Sequence, residues 1–492
     1  MLERVRILEN PFITKKYDES ANYQYRYSSL EDLLGNSSDL VSFINDHKEK
    51  QRKRLSVLDD YYKAKNTAMS KHNRTNKYEE ENIKVFHNFG KVITQFKVGY
   101  TTSNPIRLKH VDDNILGLLT EFDKNSDMAR HNSELMLDIS KYGRAYELVQ
   151  DDRVTLLNVF ECFVIYDYAV EKEPIAGVRY ITYPSQGKES EETRVTLYTH
   201  DEIIEYSLSG AELNEISSTK HFFGGVPLIE YQNNRSRSGD YEDLLSLIDA
   251  YDLAEANTAN HLNDLVNAVL VIKGDIRKLK DTDEYKKMYA NKVIFAQSGL
   301  DADGKPTEVD AKYIYRTLDV QAIETYKTRL RKDIFSLSNV PDLTDENFSG
   351  NASGESMKYK LFGFQQATAS TMSNFKKSAK ERYQLFVNAH STRTALENFV
   401  KTYELDFDES MKDLSALEIV FKPNIPYSVV DEMNMLINSG TPVSTQTKYG
   451  LVSFIDDPLA EIERVEEEQQ SNEGAAIDAY FDNPGDVAHE EE

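Results

Sequence analysis

The chain has 492 residues, enough for two or three cores, and its 40% apolar and 29% charged content is ordinary for soluble globular protein. Its formal net charge of -25 excludes a general role in coating nucleic acid, since phosphate binding is driven by Lys and Arg releasing counterions, although it leaves room for a local basic patch. A single cysteine, Cys162, excludes an intramolecular disulfide and any multi-cysteine metal site, and reads as a packed small hydrophobe.

The start, Met1-Leu2-Glu3-Arg4-Val5-Arg6-Ile7, lacks the apolar core of a signal peptide, and no apolar run approaches the ~18 residues of a membrane span. A soluble chain, not exported by that route, is expected. Residues 1 to about 125 read as mainly helical. Ser28-Ser29-Leu30-Glu31 has a capping-box pattern, Asp39 to Tyr62 carries apolar residues at helical spacing, and Lys63 to Glu81 reads as a loop. Asn82 to Gly99 predicts a helix through Ile83, Phe86, Phe89, Val92, Ile93 and Phe96. Between Tyr142 and Tyr231 the period changes to two, predicting short strands at Tyr146–Val149, Phe163–Tyr166, Gly177–Ile181 and Thr193–Tyr198. Helices followed by strands make an α+β body.

The polar turn Asn233 to Asp240 announces a long helix, with Asp240 as N-cap, that runs to about Val266. Leu244, Leu247, Ile248, Tyr251, Ala254, Leu262 and Leu265 recur on it at three and four, and Asp243, Asp249, Asp252, Glu255 and Asp264 fill the remaining surface. At ~1.5 Å per residue it is roughly 40 Å long, which suits either a spanning element or an ordinary amphipathic core helix. A compact β module follows: strands at Ala268–Ile272 and Lys292–Ala296 with a short charged helix, Asp275 to Ala290, between them. A hairpin turn at Asp301–Lys305 and a returning strand near Val309 to Tyr315 complete it. A second helix, Val320 to Asn339, brings the chain back. Pro341 and the Gly, Ser and Asn content of Val340 to Ser356 predict a flexible loop. A third long helix, Glu355 to Tyr403, includes Gly363 as a candidate kink, and a strand at Leu417–Phe421 follows it. Short helices at Val429–Asn438, Thr445–Tyr449 and Pro458–Gln470 lead to an acidic tail without Lys or Arg, which reads as disordered.

Catalytic motifs resolve into decoys. Gly299 to Pro306 imitates a phosphate-binding loop, but Pro306 stands where a magnesium-ligating Ser or Thr is needed and two aspartates sit where phosphate would lie. The same Asp301-Ala302-Asp303-Gly304 lacks the remaining ligands of a calcium loop. No His pair stands at i, i+4 and no Gly-x-Ser-x-Gly elbow occurs, so the reading is of a protein that is not an enzyme and has neither cofactor nor metal.

One ordered set of motifs points elsewhere: Asn88-Phe89-Gly90-Lys91, Tyr142-Gly143-Arg144-Ala145-Tyr146-Glu147, Phe163-Val164-Ile165-Tyr166-Asp167, Asn233-Asn234 through Gly239-Asp240-Tyr241-Glu242, Leu247-Ile248-Asp249-Ala250-Tyr251-Asp252, and Ser349-Gly350 through Ser353-Gly354-Glu355 with Lys358-Tyr359-Lys360-Leu361. Over about Asn82 to Asp457 this order resembles the portal proteins of tailed double-stranded-DNA bacteriophages, in the branch found in long-tailed phages of Gram-positive bacteria.

The resemblance implies a predominantly helical α+β portal fold and a ring, usually of twelve subunits, at one capsid vertex of the virion, assembled in the host cytoplasm. Double-stranded DNA would pass through the central channel in packaging and ejection. The large terminase subunit, the major capsid and scaffolding proteins and a head–tail adaptor protein would be partners, with no membrane involved. It further implies a division into wing (1–232), stem helix (233–266), clip (267–317), second stem helix (318–339), tunnel loop (340–356), long wing helix and strand (357–424), crown (425–470) and acidic tail (471–492). Asn347, Phe348, Ser349, Gly350, Asn351, Ser353 and Gly354 become candidate channel residues of the tunnel loop, and Lys327, Arg329, Arg331 and Lys332 candidate stem contacts to DNA. Pairing of those four cations with the acidic helix is the alternative reading. A non-channel adaptor or scaffold of the phage head, and a nucleic-acid enzyme of the packaging apparatus, are the competing functions.

Overall fold

The computed structural model describes residues 16–72, 82–183, 192–266, 269–274, 293–297, 303–305, 310–314, 319–342, 354–392, 413–424, 444–450 and 461–470, with single positions at 434, 452, 455 and 458. The chain divides into two compact units, residues 1–345 with 361–424, and residues 346–360 with 425–492. In the larger unit helices precede strands, as the change of period predicts.

Local chemistry sets the helix ends. The Ser29 hydroxyl accepts the Asp32 N–H at 3.1 Å, so the capping pair lies one residue beyond the expected Ser28 and Glu31 and starts α1 (Leu30–Gly35). The next rod is α2 (Ser37–Asp46), a π-helical turn (His47–Gln51) and α3 (Arg52–Tyr62). A short helix, α4 (Thr67–Lys71), interrupts the stretch expected to be a loop. The helix expected from Asn82 instead begins seven residues later, as α5 (Phe89–Thr102), because the Asn88 side chain caps it by accepting the Lys91 N–H at 3.3 Å. Ile83 and Phe86 precede it, outside any helix or strand. Helices α6 (Asp113–Asn125) and α7 (Met128–Tyr142) follow, and Gly143, at φ +81°, ends α7.

Nine strands build two sheets. β1 (Tyr25–Arg26), β5 (Cys162–Tyr166), β6 (Pro174–Tyr183), β7 (Glu192–Tyr198), β8 (Glu202–Ser209) and β9 (Glu212–Lys220) form one sheet in that order, with β1 parallel to β5 and the rest antiparallel. Leu33, Leu40 and Ile44 of α1 and α2 bury one face of it against Phe163, Val178, Val195 and Leu197. The second sheet is β10 (Leu228–Gln232), β3 (Arg144–Val149) and β4 (Val154–Leu157); two short strands, β2 (Arg107–Lys109) and β14 (Glu418–Val420), pair separately.

The long helix pair is α8 (Leu245–Val266) and α9 (Val320–Leu337). Asp319 caps α9 by accepting the Ala322 N–H at 2.9 Å. Between the two helices stand β11 (Val269–Gly274), β12 (Val293–Gln297) and β13 (Asp310–Ile314), in the order β12-β11-β13. β11 is parallel to β12 and antiparallel to β13, so the strands on either side of Asp301–Lys305 are not neighbours and the expected hairpin is absent. The unbroken run Val269-Leu270-Val271-Ile272 suits the centre of a sheet better than an edge.

The third long helix, α10 (Gly354–Thr392), continues through Gly363. Its Phe375, Ala379, Tyr383 and Phe386 repeat at four and three, and they pack with Phe122, Leu135, Ile139 and Tyr231 in the main core. At the centre of that core Glu147 and Arg382 are both fully buried and paired at 2.8 Å. In the smaller unit Ser444 caps α11 (Thr445–Gly450) by accepting the Thr447 N–H at 3.2 Å, and residues 461–470 are helical. The helices expected at 275–290 and 429–438 and the tail at 471–492 lie outside the described residues, apart from position 434. No described helix is long and apolar enough to cross a membrane.

Candidate functional site

The base of α8 is built by two glycines that admit a close approach of backbone. A Cβ on Gly143 would stand 2.0 Å from the Arg237 carbonyl oxygen, and one on Gly239 would stand 2.6 Å from that of Lys141. The 233–240 turn therefore docks on the α7–β3 corner, where the Asn233 N–H donates to Gly143 O at 2.9 Å and the Asp240 N–H to Ser140 O at 2.8 Å.

Asp240 is not the cap of α8. A 3₁₀ turn, Glu242–Leu244, precedes that helix, and the Asp240 carboxylate accepts from Lys97 at 2.9 Å, Asn233 at 2.8 Å and Ser140 at 2.5 Å. Buried Lys97 also donates to Asn233 at 2.6 Å and Thr371 at 2.9 Å, so its ammonium is satisfied by three acceptors, two from the 233–240 turn and one from α10. Arg54, likewise buried, donates to Glu242 at 2.7 Å and to the carbonyls of Tyr142 and Arg237 at 3.1 Å each. Burial alone would raise the Glu242 pKa, but the Arg54 hydrogen bond and charge outweigh it and hold the carboxyl below its usual range.

The acidic side of α8 differs from the sequence expectation. Asp249 and Asp252 are buried. Asp249 is bound by Lys16 and the Tyr61 hydroxyl, while Asp252 accepts from the His87 N–H at 3.0 Å, the His87 ring at 2.8 Å and the Asn66 amide. About two turns beyond Asp252, Asn260 exchanges hydrogen bonds with the Ile83 backbone at 2.8 and 3.0 Å. Two carboxylates expected at the surface thus fasten α8 to the helical layer, and the irregular 82–88 segment takes part in that fastening.

Helices α8 and α9 pack together in antiparallel sense, with Lys327 donating to Glu255 while Tyr251, one turn earlier, feels the charge of Arg331. The four candidate stem cations separate. Lys327 is buried and held by Glu255 at 3.2 Å and Glu324 at 2.6 Å, which is the pairing alternative. Arg331 makes a two-pronged bond to Asp342 at 2.9 and 3.1 Å and lies over the Phe335 ring. Arg329 is 81% exposed with, among the described residues, only a long 3.8 Å contact to Asp333, and Lys332, three residues on, is exposed beside it. Of the tunnel-loop candidates, Asn347, Phe348, Ser349, Gly350, Asn351 and Ser353 lie outside the described residues, and Gly354 is the first residue of α10. No group of three metal-binding side chains occurs among the described residues.

Lys97, Arg54 and Arg382 escaped the sequence reading. The signal for Lys97 is a cation one step from Phe96 and four from Ile93, on a stripe otherwise apolar.

Compared with known proteins, residues 41–475 match the sequence profile of the family described as "Phage portal protein, SPP1 Gp6-like". The chain belongs to the phage portal protein family. Among curated relatives it is 21% identical over 431 residues to the portal protein of Bacillus phage SPP1, covering 84% of this chain and 81% of the relative. It is 23% identical over 342 residues to the portal protein of Clostridium phage phiCD119, covering 63% and 73%. Of solved structures, the neck of an empty gene transfer agent particle aligns at TM-score 0.42 and 12% identity over 74% of this chain and 89% of that one, and a native gene transfer agent virion aligns at 0.41 and 13% over the same shares. The protein is a portal protein of a bacteriophage particle, and its place is the virion. Its family is a structural one.

Proposed function

We propose that this portal protein forms a homo-oligomeric ring, twelve-fold by family analogy, whose central channel carries double-stranded DNA during packaging and ejection. In this reading α8 and α9 are the stem, the β11–β13 module is the clip, residues 340–353, up to the start of α10, are the tunnel loop, and the sheets with α10 belong to the wing. The observation that carries it is the antiparallel α8–α9 pair with a small sheet in the chain between them. Leu262, Val320, Tyr326 and Leu337 of this pair are each more than half exposed, an apolar surface that neighbouring copies would cover. Exposed Arg329 and Lys332 are the stem cations that face DNA, whereas Lys327 and Arg331 fix the stem and its junction. Sparse cations let a duplex slide without holding it.

The portal has no ATPase or nuclease activity of its own. The large terminase subunit docks on the clip and supplies the motor, the major capsid and scaffolding proteins surround the wing during assembly in the host cytoplasm, and a head–tail adaptor replaces the terminase. Native mass spectrometry of the purified protein tests the ring. A single species at 56.4 kDa across protein concentrations would refute it.

A further inference from the structure

On so acidic a chain, a concentration of unpartnered positive charge calls for an occupant. Beside the 233–240 turn lies a cleft of about 710 Å³ whose lining includes Arg26, Lys172, Arg235, Arg237, Tyr17 and Tyr23. Arg237 is engaged by Glu230 at 2.9 Å. The head groups of Arg26, Lys172 and Arg235 have no hydrogen bond or ion pair to any described residue. Lys172 and Arg237 both sit at φ +55°, in the left-handed region that side chains with a Cβ rarely adopt, so the fold presents two of these cations from disfavoured backbone. Desolvation, and then the charges of Arg26, Arg237 and Arg235, lower the Lys172 pKa, which places all four cations close around one space.

We propose that this cleft binds a compact phosphate-bearing anion of about nucleotide size. The cleft volume falls within the ~300–1,000 Å³ typical of small-ligand sites. Arg26, Lys172 and Arg235 supply charge-assisted donors for the phosphate oxygens, and half-exposed or exposed Tyr17 and Tyr23 offer faces for an attached ring. A long duplex is a poorer fit, because Asp18, Asp243 and the Arg54-bound Glu242 also line the cleft and would oppose a row of phosphates. The site is independent of the ring and of the channel assignment.

Calorimetric titration of the full-length protein with dAMP and with inorganic pyrophosphate at low salt tests this, with citrate and a short DNA duplex as controls. Both phosphates are expected to bind, one per chain, and Lys172→Gly and Arg26→Gln should each weaken binding about tenfold. Glycine is at ease at φ +55°, so Lys172→Gly removes the cation without straining the fold, and its thermal midpoint should not fall. Absence of binding, or binding indifferent to both substitutions, would overturn the proposal. Citrate binding as tightly as pyrophosphate would overturn it too, since the cleft would then select charge and not phosphate, as would tighter duplex binding that depends on Lys172.

Discussion

Replacing Arg382 with Met tests whether the long helix α10 is held to the body by charge or by packing alone. In the native core the Glu147 carboxylate accepts from Arg382 at 2.8 to 3.0 Å, from the Tyr231 hydroxyl at 2.7 Å, and meets the His131 ring at 2.8 Å. Burial would raise its pKa, but the Arg382 charge is the largest opposing influence and holds it at about 2 against an ordinary 4.5. That gap corresponds to roughly 3 kcal/mol. It agrees with the ~3–5 kcal/mol expected when one member of a buried pair is removed and the other is left behind. Because the folded value lies below the unfolded one, this contribution is complete above pH 4.5 and is lost as pH falls toward 2. Urea unfolding followed by circular dichroism, at one fixed protein concentration, should show Arg382→Met losing about 3 kcal/mol at pH 7 and visibly less near pH 4. Adding Glu147→Gln to the Met variant should recover part of the loss, since no charge is then stranded. A Met variant within about 1 kcal/mol of the parent at pH 7, or an equal loss at both pH values, would refute the argument.

Gly143→Ala should abolish soluble expression or cost at least ~3 kcal/mol, because its Cβ would overlap the Arg237 carbonyl, whereas Gly210→Ala, with open space around it, should cost only ~1 kcal/mol for its positive φ; thermal melts separate the two. His47 is pushed down to about 3, by burial first and then by Arg144 and Arg52, so stability should decline as pH falls from about 6.5 toward 3, and His47→Gln should flatten that slope in chemical unfolding across the window. Arg329→Ala with Lys332→Ala should leave melting and assembly within ~0.5 kcal/mol of the parent while changing DNA content per particle, and Lys327→Met should do the reverse, weakening the stem while packaging per assembled particle holds.

Sequence periodicity exposed most of the elements because burial on one face imposes a repeat, as in the strands from Arg144 to Tyr198 and in α9. It misplaced the start of α5, since Ile83 and Phe86 continue an apolar spacing by coincidence while the backbone N–H groups of Ile83 and His87 are claimed by Asn260 and Asp252 from far along the chain. The site failed in the same manner. Asp249 and Asp252 look like a solvated acidic face until the partners that bury them, Lys16, Tyr61, Asn66 and His87, are brought in from more than 160 residues away. The strand order β12-β11-β13 was equally out of reach, because turn chemistry at Gly304 reports a local bend and says nothing about which strand occupies the centre.

The π-helical turn at His47–Gln51 keeps the two halves of one rod out of phase. Ahead of its widened coil, the buried residues of α2 belong to the sheet core; beyond it, Arg54 reaches Glu242 and Tyr61 reaches Asp249. An ideal α-helix advances roughly 100° per residue, and the extra residue accommodated here resets that angle between two interfaces. Deleting one residue from the turn would make the rod more regular and the protein worse, by swinging Arg54 and Tyr61 about a quarter turn off their carboxylates. The irregularity works as a gear offset, letting a single rod serve the sheet at one end and the root of α8 at the other.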